Sequence, residues 1–444
     1  MNHPLPDAFL NNMQKLLGDE YPAFLCALDD APALALRLNP GRRNAEAAAR
    51  PYVDGPVPWC KEGRYLAPLG EDRPGSAIPH AAGAFYLQEA SAMASAAVLN
   101  AQPGERVLDL CAAPGGKSTQ IAAALDGQGL LVSNDPEPAR AQALAGNLER
   151  MGAANAVVVC ATPDRLADRW PERFDAVLVD APCSGEGMFR RDPAARDEWS
   201  PASPEGCARR QAEILDRAAR TVRPGGRMVY STCTFNECEN EGSVRGFLAR
   251  HPDFVPEDFE LPGVGSSRAG MLRLFPHRLR GDGHFVARLR REGVGPSAKA
   301  APVERPDRDT AACLDALDRD VCRLPEHIAD MRFFRQGSLL YARPPMYPDV
   351  NGLRVISPGL CLARLGRNHI EPAHALAMAL DPDCARRRFE LDEAAARAWL
   401  RGEAVPCDGE KGWTLALYRG MPLGWGKVSD GMLKNHLPKG LRRH

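Results

Sequence analysis

Between Ala84 and Arg291 the sequence alternates between short apolar runs and longer segments whose apolar residues recur at helical spacing. The runs are Arg106-Val-Leu-Asp-Leu110, Leu130-Leu-Val-Ser133, Ala156-Val-Val-Val-Cys160, Phe174-Asp-Ala-Val-Leu-Val179 and Gly226-Arg-Met-Val-Tyr230. Helices are predicted over 91–99, 117–125, 138–151 and 205–221. This alternation predicts an α/β fold: a mainly parallel sheet with helices on both faces. Such sheets bind ligands in the crevice beyond the carboxyl ends of their strands, so the residues that follow each strand are the ones to read for chemistry.

After the first strand comes Cys111-Ala-Ala-Pro-Gly-Gly-Lys-Ser118. A dinucleotide site would need G-x-G-x-x-G, which is absent. A phosphate-binding P-loop would need a glycine where Cys111 stands, although Gly116-Lys117-Ser118 matches its second half. The reading that fits best is S-adenosylmethionine. Ala112, Ala113, Gly115 and Gly116 are small and let the backbone approach a ligand. The N-terminus of the next helix can hold a carboxylate. Asp135, in Val-Ser-Asn-Asp-Pro after the second strand, stands where a ribose-binding acid is expected; capping of the following helix is its other reading.

Two further strands end in cysteines. One lies in Asp180-Ala-Pro-Cys183-Ser-Gly185, the other in Ser231-Thr-Cys233-Thr234. A pyrimidine accepts a methyl group at carbon 5 only after a thiolate has added to carbon 6. That chemistry needs a nucleophilic cysteine, an acid near ring nitrogen 3 and a group that assists elimination. A free thiol with pKa about 8.5 is only a few per cent ionised at neutral pH, and Lys117 would favour the thiolate if it lies close. Asp180 is a candidate acid, provided that burial keeps it protonated. Cysteines are often plain core residues, and Cys26, Cys160, Cys313, Cys322, Cys361, Cys384 and Cys407 are read so. Cys183 and Cys233 are not, because prolyl, glycyl and hydroxyl neighbours leave them little apolar packing. These residues alone do not decide which of the two attacks.

The length of 444 residues calls for two or three domains. Residues 1–83 read as a small α+β domain and 84–292 as the parallel core. A Gly-, Pro- and charge-rich stretch around 290–309 suggests a linker over 293–330. Residues 331–444 read as a compact β-rich module in which Leu353-Arg-Val-Ile-Ser357, Leu360-Cys-Leu-Ala-Arg-Leu365 and Trp413–Tyr418 are short strands. No apolar run approaches the about 18 residues of a membrane span, and the amino terminus does not resemble a signal peptide. Thirteen scattered cysteines without a CxxC suggest reduced thiols in a cytoplasm and no bound metal. A net charge of −1 means that any nucleic-acid contact must come from local patches.

Taken together, the motifs resemble those of the Sun/Fmu family of RNA cytosine-5 methyltransferases, and within it the bacterial RsmF-type ribosomal-RNA enzymes. The matching stretches are Tyr86-Leu-Gln-Glu-Ala-Ser-Ala-Met93, Cys111–Lys117, Asp180-Ala-Pro-Cys-Ser-Gly-Glu-Gly-Met-Phe189, Tyr230-Ser-Thr-Cys-Thr234, Gly424-Trp-Gly-Lys-Val428 and Gly431–Gly440. The resemblance implies a Rossmann-like class I methyltransferase core, a C-terminal PUA-like RNA-binding module, S-adenosylmethionine as cofactor and ribosomal RNA, of the small subunit, as substrate. It implies that Cys233 is the nucleophile and Cys183 the residue assisting release. It also implies that Cys111, Ala112, Ala113, Pro114, Gly115, Gly116, Lys117, Asp135 and Asp180 contact the cofactor. Thr162 falls in register for the adenine contact, with Asp164 two residues on. A cytoplasmic monomer is expected.

Basic clusters at Arg190-Arg191, Arg209-Arg210, Arg278, Arg280 and in the tail (Lys434, His436, Lys439, Arg442, Arg443) are candidate phosphate contacts, with solvated surface charge as the other reading, and Phe189 or Trp199 is either a base-stacking surface or packing beneath the loop. A transfer-RNA methyltransferase would carry the same catalytic core. A non-catalytic RNA-binding assembly factor would be expected to have lost a motif cysteine, and both are present.

Overall fold

A computed structural model describes residues 3–68, 73–295, 305–366 and 369–443. Five strands run parallel in the order Ala156–Cys160, Leu130–Asn134, Arg106–Asp109, Phe174–Asp180, Val222–Thr232. Their near-continuous apolar sequences follow from burial on both faces. Val107, Leu131, Val158, Leu178 and Val229 turn to one face, against helices Met93–Leu99, Gly116–Ala124 and Pro138–Arg150. Leu108, Val132, Val157, Val177 and Met228 turn to the other, against helices Pro163–Arg169, Ser203–Thr221 and Glu241–Arg250. Each such fully buried side chain contributes about 1.5–3 kcal/mol.

Both edges of this sheet are covered by antiparallel strands. His284–Arg291 pairs with Val222–Thr232, and itself pairs with Phe254–Pro256 and Met271–Leu274. At the opposite edge, Arg354–Ser357 pairs with Ala156–Cys160. This last strand corrects the sequence reading, which placed it in the C-terminal module. It crosses to the parallel sheet and caps an edge that would otherwise expose unpaired backbone groups.

The predicted linker is also not plain linker. Its residues 296–304 lie outside the described residues, but Arg308–Asp320 is a helix. Asp307 caps it by accepting the Thr310 amide at 2.8 Å. Its Leu317, with Val321 just beyond, joins a core with Leu340, Leu362 and Leu376.

Helices Asp7–Leu17 and Tyr21–Asp29 precede a four-stranded antiparallel sheet of Val53–Pro56, Gly63–Leu66, Ala35–Leu38 and Phe85–Leu87. The C-terminal part holds a four-stranded sheet (332–372) and a five-stranded sheet (388–435) flanked by helix Glu393–Arg401. The two ends of the chain share one apolar core, in which Leu36, Ile78 and Phe85 meet Trp399, Met421 and Leu433. Among the described residues no helix is long and apolar enough to cross a membrane.

Candidate active site

Strand order reverses between Arg106–Asp109 and Phe174–Asp180, so the binding crevice opens at their carboxyl ends. The predicted loop Cys111–Lys117 lies there. Gly115 takes φ +114°, a conformation that disfavours any side chain, as it starts helix Gly116–Ala124. Helix Pro138–Arg150 grips the loop from outside: Arg140 donates to the Ala113 carbonyl at 3.1 Å and Asn147 to the Pro114 carbonyl at 2.9 Å.

Across the crevice, Asp180 is paired in register with Ser231 of the neighbouring strand. Its carboxylate accepts Lys117 Nζ at 2.8 Å and Ser231 Oγ at 2.8 Å, with His284 Nε2 at 3.6 Å. Burial alone would raise the Asp180 carboxyl, but the Lys117 ammonium and His284 hold it well below the usual range. Lys117 in turn is held above its ordinary value by Asp180, against burial. Asp180 thus rests as an ionised acceptor, so the acid role would need it to take up a proton during the reaction.

The two singled-out cysteines meet. Cys183 Sγ lies 3.3 Å from Cys233 Sγ. The neighbouring Cys233 sulfur, and then burial, push the Cys183 thiol well above its ordinary value, so Cys183 keeps its proton and can donate it toward Cys233. Lys117 lies within electrostatic reach of Cys233. Gly187 makes the approach of the two loops possible. Its amide donates to the Cys233 carbonyl at 2.8 Å, and a Cβ there would sit 2.8 Å from that oxygen.

Two buried carboxylates that the sequence reading did not single out brace these loops. Glu186 accepts Thr234 Oγ1 at 2.7 Å, the Phe235 amide at 2.8 Å and the Asn236 amide at 2.9 Å. Glu239 accepts the Ser184 amide at 2.9 Å, Gln211 Nε2 at 2.8 Å, Asn236 Nδ2 at 2.6 Å and the Ser184 hydroxyl. Asp109 was missed as well. It is fully buried at the end of the first strand and accepts Ser118 Oγ at 2.7 Å, while burial pushes its carboxyl up to about 7. Asn134 ties three strand ends together through the Leu110 and Ala161 carbonyls and the Ala161 amide.

Other predicted residues have different surroundings. Asp135 is buried; one oxygen accepts the Glu137 amide at 3.0 Å and the other faces Arg140 at 3.3 Å. Thr162 is exposed, and Asp164 is paired with Arg217. Arg190 and Arg191 are not free for phosphate: both bind Asp282, and both reach backbone carbonyls of the N-terminal segment. Arg278 pairs with Glu20, and Arg280 with Asp54. In the tail, His436 faces Glu371 and Lys434 lies 3.8 Å from Asp430, while Arg442 and Arg443 bind carbonyls of Leu437, Ser76 and Ala77. Arg209 and Arg210 are exposed on helix Ser203–Thr221 without an ion pair among the described residues, as is Lys439. Phe189 and Trp199 are not a stacking platform. They are buried with Phe9, Phe24, Phe235 and Phe275, Phe9 and Phe189 meeting edge-on at 5.0 Å.

The crevice suits S-adenosylmethionine on two structural grounds. The loop turns tightly through a left-handed glycine at the switch point of the sheet, where such folds bind ligands. Beneath it, Asp109 Oδ1 has no hydrogen-bond partner among the described residues. A doubly wound sheet with this loop at its switch point and paired thiols beside it defines an S-adenosylmethionine-dependent methyltransferase. In keeping with that class, the crystal structure of a methyltransferase homologue from Pyrococcus horikoshii superimposes with a TM-score of 0.57 at 25% identity, covering 65% of this chain and 96% of that one. Family models described as 16S rRNA methyltransferase RsmB/F, the N-terminal domain of 16S rRNA methyltransferase RsmF, the RsmF rRNA methyltransferase first C-terminal domain and the methyltransferase RsmF PUA domain match residues 96–290, 5–90, 320–380 and 386–443. Ribosomal RNA small subunit methyltransferase F of Erwinia tasmaniensis is 33% identical over 470 residues, covering 99% of this chain and 97% of its own length. Its counterpart in Serratia proteamaculans is 37% identical over 410 residues, covering 87% and 84%. The chain therefore belongs to the ribosomal RNA small subunit methyltransferase F family.

Proposed function

We propose that this methyltransferase modifies carbon 5 of a cytosine in the RNA of the small ribosomal subunit, through a transient bond between Cys233 Sγ and carbon 6. The observation that carries the reading is the pair of sulfurs 3.3 Å apart, set beside the Lys117–Asp180 ion pair at the switch point. The loop Cys111–Lys117 and Asp135 would hold S-adenosylmethionine, with Asp109 beneath. When bound, that cofactor supplies the electrophilic methyl group.

The remaining chemistry belongs to the chain. Cys183 retains its proton and stabilises the Cys233 thiolate by hydrogen bonding. The thiolate adds to carbon 6, and carbon 5 becomes nucleophilic. Negative charge building on the ring meets the Lys117 ammonium, while the ionised Asp180 accepts from the exocyclic amino group and orients the base. Once Cys233 is a thioether it no longer shares the Cys183 proton; Cys183 gives that proton up to solvent and, as a thiolate, becomes the base. It removes the carbon-5 proton; those electrons restore the ring double bond, and the carbon–sulfur pair returns to Cys233. A target base must be unstacked to enter the crevice. Arg209, Arg210 and Lys439, which have no ion pair among the described residues, are the cations of the basic clusters offered to phosphates.

The test is a mutant pair incubated with a small-subunit rRNA transcript and the methyl donor. Cys183→Ala should accumulate a protein–RNA adduct on a denaturing gel, because release is blocked. Cys233→Ala should give neither adduct nor 5-methylcytosine by bisulfite sequencing. Adduct from the Cys233 variant would overturn the assignment.

A further inference from the structure

We infer that Glu239 is a positioning residue for the release half of the reaction: it fixes Cys183, not Cys233. The inference rests on the mechanism proposed above and deepens it.

Directly and through Gln211, Glu239 holds the two peptide groups that flank Cys183, and it reaches the Cys233 loop through Asn236 Nδ2 at 2.6 Å, three residues beyond that cysteine. The peptide groups on both sides of Cys183 are held by one buried unit. Gln211 Nε2 donates to the Pro182 carbonyl at 3.0 Å, and the Ser184 amide donates to Glu239 Oε2 at 2.9 Å. Gln211 Nε2 also donates to Glu239 Oε2 at 2.8 Å, which closes the clamp. Tyr230 braces it from below, its hydroxyl 2.9 Å from Gln211 Oε1 and 2.6 Å from the Glu239 carbonyl. Glu239, Gln211 and Tyr230 are all fully buried. Cys233 is held by a different carboxylate. Glu186 collects the hydroxyl and two amides of Thr234–Asn236, and the Gly187 amide takes the Cys233 carbonyl. Each carboxylate thus sits in the loop of one cysteine and grips the loop of the other.

Four donors converge on Glu239, from the Ser184 amide and hydroxyl, Gln211 and Asn236. A carboxylate satisfies them because it accepts at both oxygens and donates at neither. Glutamine has the same shape, but its amide must face one of these donors. With the amide at the Oε2 position, the Ser184 amide and Gln211 lose their acceptor and Cys183 moves while Cys233 remains held by Glu186; with it at the Oε1 position, Asn236 loses its acceptor and the Ser184 hydroxyl turns to accept. Misplacement of a catalytic group by about 1 Å costs on the order of 100-fold.

The experiment compares Glu239→Gln, Glu186→Gln, Ser184→Ala and Cys183→Ala as full-length proteins with the rRNA transcript and S-adenosylmethionine. For Glu239→Gln, kcat should fall by roughly 10- to 100-fold with KM for RNA unchanged, and the covalent adduct should accumulate as it does with Cys183→Ala. Glu186→Gln should lose adduct formation instead. Ser184→Ala deletes one link to the clamp and leaves Glu239 intact. It should accumulate a smaller amount of adduct, and it carries the test if Glu239→Gln does not fold. Slow turnover without adduct in Glu239→Gln, or in Ser184→Ala where that variant stands in, would overturn the inference, provided that Cys183→Ala traps adduct in the same experiment. Absence of adduct from Cys183→Ala would overturn the underlying mechanism instead.

Discussion

Substituting Asp109 by asparagine separates the cost of a buried carboxyl from the hydrogen bond it makes. Asp109 is fully buried, and burial pushes its carboxyl from an ordinary 3.8 to about 7, with the Ser118 hydrogen bond pulling the other way. At about 1.36 kcal/mol per pH unit, that span amounts to about 4 kcal/mol. The sign follows from proton binding. Between about pH 4 and pH 7 the folded protein retains a proton that the unfolded chain has released, so this group weakens the fold progressively as pH rises. Asparagine loses no proton, and its Oδ1 can still accept from Ser118. Relative to the unsubstituted protein, Asp109→Asn should gain up to about 4 kcal/mol between pH 4 and pH 8. For a core of about 200 residues this is on the order of 10 °C in melting temperature. Calorimetry of both proteins at pH 5 and pH 8, at constant ionic strength and without methyl donor, reads the difference. A melting-temperature gap between the two that stays constant with pH would refute the reasoning.

Two other substitutions test the site's surroundings. Asp180→Asn leaves the Lys117 ammonium without its partner, which should abolish methylation and cost about 3 kcal/mol at neutral pH. Because the Asp180 carboxyl is held below its ordinary 3.8, its contribution is present above that pH and is lost as pH falls below it; the variant should lack this acid-side decline in chemical denaturation. Phe189→Ala should cost about 3–5 kcal/mol and release the Asp7–Leu17 helix to limited proteolysis. An unchanged melting temperature with weakened RNA binding would instead restore Phe189 as a stacking surface.

The parallel core was legible because strands buried on both faces carry runs such as Ala156–Cys160, and the helices between them keep a clear period. The thiol pair was legible because cysteine, proline and glycine at strand ends have few other uses. What stayed hidden depends on distant partners. Arg190 and Arg191 looked like a phosphate cluster, and only the fold brings Asp282, about 90 positions away, between them. Glu186 and Glu239 went unmarked, since nothing local distinguishes a carboxylate that collects backbone amides. Arg354–Ser357 is a short strand whose partner lies far back in the chain, so proximity assigned it to its sequence neighbours. The Arg308–Asp320 helix did leave a signal, in Leu314, Leu317 and Val321 after a capping Asp307, but the surrounding glycine, proline and charge outweighed it.

The apolar layer joining Leu36 and Phe85 to Trp399 and Leu433 also bears on biosynthesis. Leu36 and Phe85 precede Trp399 and Leu433 by more than about 300 positions, so during synthesis their greasy surface stays unshielded until that later segment has emerged. Deletion of residues 386–443 should therefore yield aggregates rather than a tidy catalytic fragment, and maturation waits on synthesis of that segment.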